Sequence, residues 1–111
     1  MKNINNKRNF PMDYHFNKHG AICETTGYGE NSPPCDKAEI EKIKTWLEAM
    51  RPHFKKTFRM SSYALKHLVE KSMGEYKSNG ETIIAALSTR GYSVKYPGRG
   101  PNALVTISRK W

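Results

Sequence analysis

The chain has 111 residues, enough for one small domain with a tail but not for two independent cores. Hydrophobic residues make up 37% and mean hydropathy is -0.77, which leaves little material for a membrane span, a large enclosed cavity or a cofactor barrel. Nineteen Lys and Arg against ten Asp and Glu give a net charge of +9 and a pI near 9.7. That balance favours polyanionic partners through phosphate neutralisation and counterion release, nucleic acid first, with an acidic protein surface as the competing partner.

Residues 1–8, Met-Lys-Asn-Ile-Asn-Asn-Lys-Arg, lack the apolar run of a secretory signal, so a cytoplasmic location is expected. Cys23 and Cys35 could pair, but in that compartment they are expected as free thiols. Residues 1–35 are rich in Asn, Gly and Pro, nearly balanced in charge and without sustained apolar periodicity, which predicts an irregular N-terminal arm. His15, His19, Cys23 and Cys35 are four potential zinc ligands, but their spacing is not that of a finger and neither cysteine belongs to a C-x-x-C knuckle, so no metal is expected.

Residues 36–111 hold fifteen basic and seven acidic side chains and every convincing periodic segment, which predicts a single domain there. A first helix fits 37–50: Asp36 is a suitable N-cap, and Ile40, Ile43, Leu47 and Met50 repeat at core-facing spacing. Pro52 ends it, and the stretch from Arg51 to Arg59 reads as a basic contact loop or a solvated connector. A second helix fits 62–73, with Ser61 or Ser62 as cap, Leu65, Leu68, Val69 and Met73 inward and Gly74 as the stop. Its opposite face carries Tyr63, Lys66, His67 and Glu70 as one stripe.

Ser78-Asn79-Gly80-Glu81 has the form of a capping box and predicts a third helix ending near Gly91, with Ile83, Ile84 and Leu87 inward and Glu81, Thr82, Ala85, Ser88 and Thr89 outward. Tyr92 to Tyr96 alternates, 97–101 is a turn, and Ala103 to Ile107 is β-branched enough to return as a strand, so a β-hairpin closes the domain. From Thr82 to Trp111 there is no acid, while Arg90, Lys95, Arg99, Arg109 and Lys110 add five positive charges. The order of elements predicts an α+β fold of the winged helix-turn-helix type, three helices followed by a β-hairpin wing, with the third helix as the reading element.

The string Ser62-Tyr63-x-Leu65-Lys66-His67-x-x-Glu70, then Tyr76-x-x-Asn79-Gly80-x-x-Ile83-x-Ala85-Ala86, Gly91-Tyr92 and Gly100-Pro101-Asn102-Ala103, resembles a group of small uncharacterised proteins of phages and plasmids. It covers about the second half of the chain. The resemblance implies a mobile-element origin, in which small proteins serve as regulators or as inhibitors of host defence or host enzymes, without assigning an activity.

The start of the third helix presents free N–H groups suited to a phosphate, reinforced by Lys77 and Asn79. Its outward Thr82 and Thr89 are short enough for close approach to a groove, but only Asn79 has the amide that pairs with a base edge, so sequence readout should be weak. Lys95 and the hairpin-tip Arg99, with Asn102 beyond it, are candidate contacts to a backbone or minor groove, against the plain reading of a surface arginine in a tight turn. Tyr63, Lys66 and His67 offer contact area and donors, against a solvated face on which Glu70 compensates Lys66. His67 with Glu70 also has the form of a base and its orienter, but no activated nucleophile or second catalytic carboxylate accompanies them, so no enzyme is expected. Trp46 reads as a packing residue, as does Trp111 unless its terminus is free to stack on a base.

The expectation is a non-enzymatic, regulatory protein without cofactor or metal that binds double-stranded nucleic acid mainly through backbone contacts. The alternative is a phage-encoded inhibitor of a host factor or defence system, of anti-CRISPR or anti-restriction type, acting by protein contact.

Overall fold

The computed structural model describes residues 14–23, 31–54, 57–97 and 100–107. They form an α+β fold of three helices and two small antiparallel sheets. In chain order the elements are β1 (Tyr14–Asn17), β2 (Gly20–Cys23), α1 (Lys37–Met50), a 3-10 turn (Arg51–His53), β3 (Phe58–Ser61), α2 (Ser62–Met73), α3 (Asn79–Leu87), β4 (Tyr92–Lys95) and β5 (Leu104–Ile107). Among the described residues no helix is long and apolar enough to cross a membrane.

α1 starts where its cap predicts, with Asp36 Oδ1 accepting from the Ala38 N–H at 3.0 Å, and buries Ile43 and Leu47. α2 is capped by Ser61, whose Oγ accepts from the Ala64 N–H, and stops at Gly74 in the left-handed region. Its buried stripe differs from the one the periodicity predicts. Ser62, Leu65, Lys66 and Val69 face inward while Leu68 is 38% exposed. The face turns toward Lys66 because the ammonium has partners there: Glu70 Oε2 at 2.9 Å and the Lys77 carbonyl at 3.1 Å. With its charge satisfied, the aliphatic stem packs as a hydrophobe.

α3 is capped by the Ser78 hydroxyl, which accepts from Glu81 N–H, and ends at Leu87, earlier than the Gly91 stop predicted. It is a central helix. α1, α2, β4 and the β1–β2 hairpin all pack against it, and every residue from Asn79 to Leu87 except Ile84 is buried.

The C-terminal hairpin forms as predicted, from Tyr92 opposite Ile107 to Lys95 opposite Leu104. β5 is its central strand, because β3 pairs on the other side, from Phe58 opposite Ile107 to Ser61 opposite Leu104. The strand β3 lies in a segment whose sequence reads as the end of a connector.

The irregular arm predicted for residues 1–35 is corrected over 14–23, where β1 and β2 pair around a two-residue turn at Lys18 and His19. The hairpin is held down by Lys18 N–H to the Pro33 carbonyl (2.9 Å), Ala21 N–H to the Pro101 carbonyl (2.9 Å) and Gly80 N–H to the Lys18 carbonyl (3.3 Å). Gly80 permits this approach, since a Cβ there would overlap the Asn17 carbonyl. Gly20, with φ of 142° and the Pro101 carbonyl against its Cα, has the same requirement from the other side.

Candidate nucleic-acid interface

The outward face predicted for α3 does not exist. Thr82 is fully buried and its Oγ1 donates to the Ser78 carbonyl (2.8 Å); Thr89 is 3% exposed and donates to the Ala85 carbonyl (2.6 Å). Both hydroxyls are spent on the helix's own backbone. Ala85 is buried, and Ser88, half-buried, donates to the Ile84 carbonyl. Glu81, 2% exposed, accepts from the Asp36 N–H at 2.6 Å instead of closing the capping box. The covered helix cannot enter a groove as it stands, because the N-terminal hairpin and α1 occupy the space a duplex would need.

Lys77 is likewise internal, its ammonium bound by Glu39 Oε1 at 2.8 Å and Glu75 Oε1 at 2.5 Å. Burial alone would lower its pKa, but these two carboxylates outweigh it and leave the ammonium raised. The hydrogen bond from Lys77 holds Glu39 and Glu75 below the usual carboxylate range, with Lys42 adding to the effect. Glu70 is pushed up by burial, yet Lys66, the Lys77 N–H (2.9 Å) and the charge of His67 prevail and lower it. His67 Nδ1 lies 3.0 Å from Glu70 Oε1, so the carboxylate is shared among three groups and acts as a structural hub.

The remaining predicted residues fall into two places. Tyr63, Lys66, Asn79 and Asn102 line one cleft of about 620 Å³, which also takes in Tyr76, Pro101, Ser32, Pro33, Lys18 and His19. Tyr63 and Tyr76 are 50% and 69% exposed. Their rings flank the buried Lys66 ammonium, 5.4 and 4.8 Å from the centroids, a cation–π arrangement with both. His67 packs edge-on against Tyr63.

The floor of the cleft is a chain of amides. Ser62 Oγ donates to Asn79 Oδ1 (2.7 Å), and Asn79 Nδ2 donates to the His19 carbonyl (3.0 Å) and to Asn102 Oδ1 (2.8 Å). This network fixes which way both amides face. As cleft residues Tyr76, Lys18 and His19 were missed: the sequence marks His19 only as a potential zinc ligand and Tyr76 only within the resemblance string, although an aromatic in a polar turn is a signal, and Lys18 gives none.

Lys95 belongs to the second place, the outer face of the three-stranded sheet. Arg59, Thr106 and Ser93 form one cross-strand row, and Leu104 and Lys95 lie in the next. Arg59, Ser93 and Lys95 are exposed, and β3, β4 and β5 contain no acidic residue. The described carboxylates, Asp36, Glu39, Glu41, Glu48, Glu70, Glu75 and Glu81, all lie on the helices or their flanking turns. Arg99, Arg109, Lys110 and Trp111 lie outside the described residues, as does the side chain of Cys23.

Among the described residues no group of three His, Cys, Asp or Glu is placed to hold a metal ion. Cys35 is a free thiol whose pKa is pushed up to about 11 by burial and by the nearby Glu81. Trp46 packs against the core and donates to Ser72 Oγ at 2.8 Å. No family model matches the chain, and no curated protein or solved structure is significantly similar to it.

Proposed function

We propose that the chain is a non-enzymatic winged-helix protein that binds double-stranded nucleic acid through its phosphates, using the outer face of the β3–β5–β4 sheet and not α3. The order helix, strand, helix, helix, hairpin, with the first strand pairing the last, supports the winged-helix reading. The observation that carries the function is the segregation of charge. Carboxylates and their paired lysines sit on the helical side, while Arg59 and Lys95 stand on an acid-free sheet beside short Ser and Thr side chains that let a backbone approach. Phosphate contact without groove reading implies little sequence preference. A regulatory role in a mobile genetic element is part of the same proposal and rests on the resemblance of the 62–103 string.

The burial of α3 favours a second reading, an inhibitor that meets a host protein through the same basic sheet. Titration of random-sequence duplex at increasing salt separates the two. A phosphate binder loses affinity steeply and linearly on a log-log plot, whereas the inhibitor ignores random duplex at any salt. Absence of duplex binding at low salt overturns the first reading.

A further inference from the structure

We propose that the Tyr63–Tyr76 cleft seats one unpaired nucleotide of a bound strand, its base against the tyrosine rings and its phosphate toward Lys18. The inference rests on the nucleic-acid reading above and adds to it a second, distinct contact.

The cleft is built for a planar ligand with acceptor groups. Its volume of about 620 Å³ lies within the range of small-ligand sites, roughly 300–1,000 Å³. Two tyrosines at 50% and 69% exposure are unusual for side chains with so much apolar area to hide. Lys66, whose ammonium both rings approach, is 7% exposed, so it lies on the inner side of the rings and leaves their solvent-facing sides open. Stacking on such a ring is tolerant of base identity, in keeping with a protein that does not read a groove.

The amides supply orientation. Asn102 Oδ1 is taken by Asn79 Nδ2, which leaves the Asn102 amide N–H₂ as a donor on the cleft wall, suited to a base carbonyl or ring nitrogen. Among the described residues no acceptor engages it. Lys18, at the rim, is 35% exposed and only loosely held, 3.9 Å from Glu81. The direction of the strand follows from charge. Beyond Tyr76 a second hollow of about 360 Å³ shares Lys18 with the cleft and sets four carboxylates, Asp36, Glu39, Glu75 and Glu81, against Lys18 and Lys42, so it is net acidic and disfavours a strand running past Lys18, whereas Asn102 stands two residues before β5 and leads onto the acid-free sheet.

The test compares three DNAs by fluorescence anisotropy with the full chain: a short blunt duplex, the same duplex with a single-stranded extension, and that extension made abasic so that only its phosphates remain. The expected result is roughly tenfold tighter binding of the base-bearing extension than of the other two. Tyr76→Leu, at an exposed position where folding is checked by circular dichroism, removes that advantage and leaves blunt-duplex affinity unchanged. Equal affinity for all three DNAs overturns the seating of a base while the duplex reading stands. Saturation of the cleft by free nucleoside monophosphate, without preference for the extended duplex, overturns the strand as the source. Failure to bind any of the three overturns both readings together.

Discussion

Gly80 and Asn17 are in backbone contact: the first turn of α3 lies so close to the end of β1 that a Cβ on Gly80 would stand 1.7 Å from the Asn17 carbonyl oxygen. This contact seats the N-terminal hairpin over α3 and makes α3 an internal helix. Glycine inside a helix ordinarily costs about 1 kcal/mol relative to alanine, so Gly80→Ala at an open position would stabilise. Here the overlap is with backbone, which yields little, and the substitution should destabilise by roughly 1–3 kcal/mol. Thermal unfolding followed by circular dichroism gives the sign, and a rise in Tm would mean that the hairpin does not sit on α3.

Asn79 joins four segments through one amide, with Ser62, His19, Pro101 and Asn102 as partners. Asn79→Ala leaves several buried polar groups unsatisfied and should cost roughly 2–4 kcal/mol. Asn79→Asp should be at least as damaging, because the Nδ2 donor becomes an oxygen facing three acceptor oxygens. Urea unfolding of both variants checks the order; a benign aspartate would contradict the assigned amide orientation.

Stability should fall on the acid side. Glu39, Glu70 and Glu75 have folded-state values below their ordinary 4.5, so as pH drops through about 4.5 the unfolded chain takes up protons first. The contribution of these groups is fully present above that value and is lost progressively as pH falls through the lower, folded-state values. Glu70→Gln removes the most central of the three and should flatten the acid limb of a Tm-against-pH curve; an unchanged limb would show that Glu70 is not held below its ordinary value.

Lys66 and Lys95 have the same charge and opposite expected roles. Lys66→Ala strips the partner from a largely buried carboxylate and should lower stability by roughly 1–3 kcal/mol without changing the salt dependence of duplex binding by the folded protein. Lys95→Ala should leave stability within about 0.5 kcal/mol and reduce the salt slope. Paired urea and salt titrations of the two variants separate these effects.

Both long helices, their caps and the C-terminal hairpin were legible in the sequence, because Asp36, Ser61, Gly74 and Ser78 are strong local signals and the periodicities are clean. The burial of α3 was not recognised, although its sequence Asn-Gly-Glu-Thr-Ile-Ile-Ala-Ala-Leu carries the cue: it is apolar and small on nearly all sides, the mark of a central helix. The strands β1 and β3, Tyr-His-Phe-Asn and Phe-Arg-Met-Ser, are four residues long and owe their conformation to partners distant in sequence. The cleft was only half legible for the same reason. α2 supplies Tyr63 and Lys66 at helical spacing, but Asn102 reaches them only through Asn79, Lys18 through the Gly80 N–H, and Tyr76 through the bonds of neighbouring Lys77 to Lys66 and Glu70.

The most direct measurement of the central claim is the salt dependence of duplex binding by Arg59→Ala/Lys95→Ala beside the unaltered chain. If each side chain neutralises one phosphate, the double variant binds more weakly and its log-log slope is shallower by roughly 2. A slope identical to that of the unaltered chain would contradict the sheet face as the contact surface.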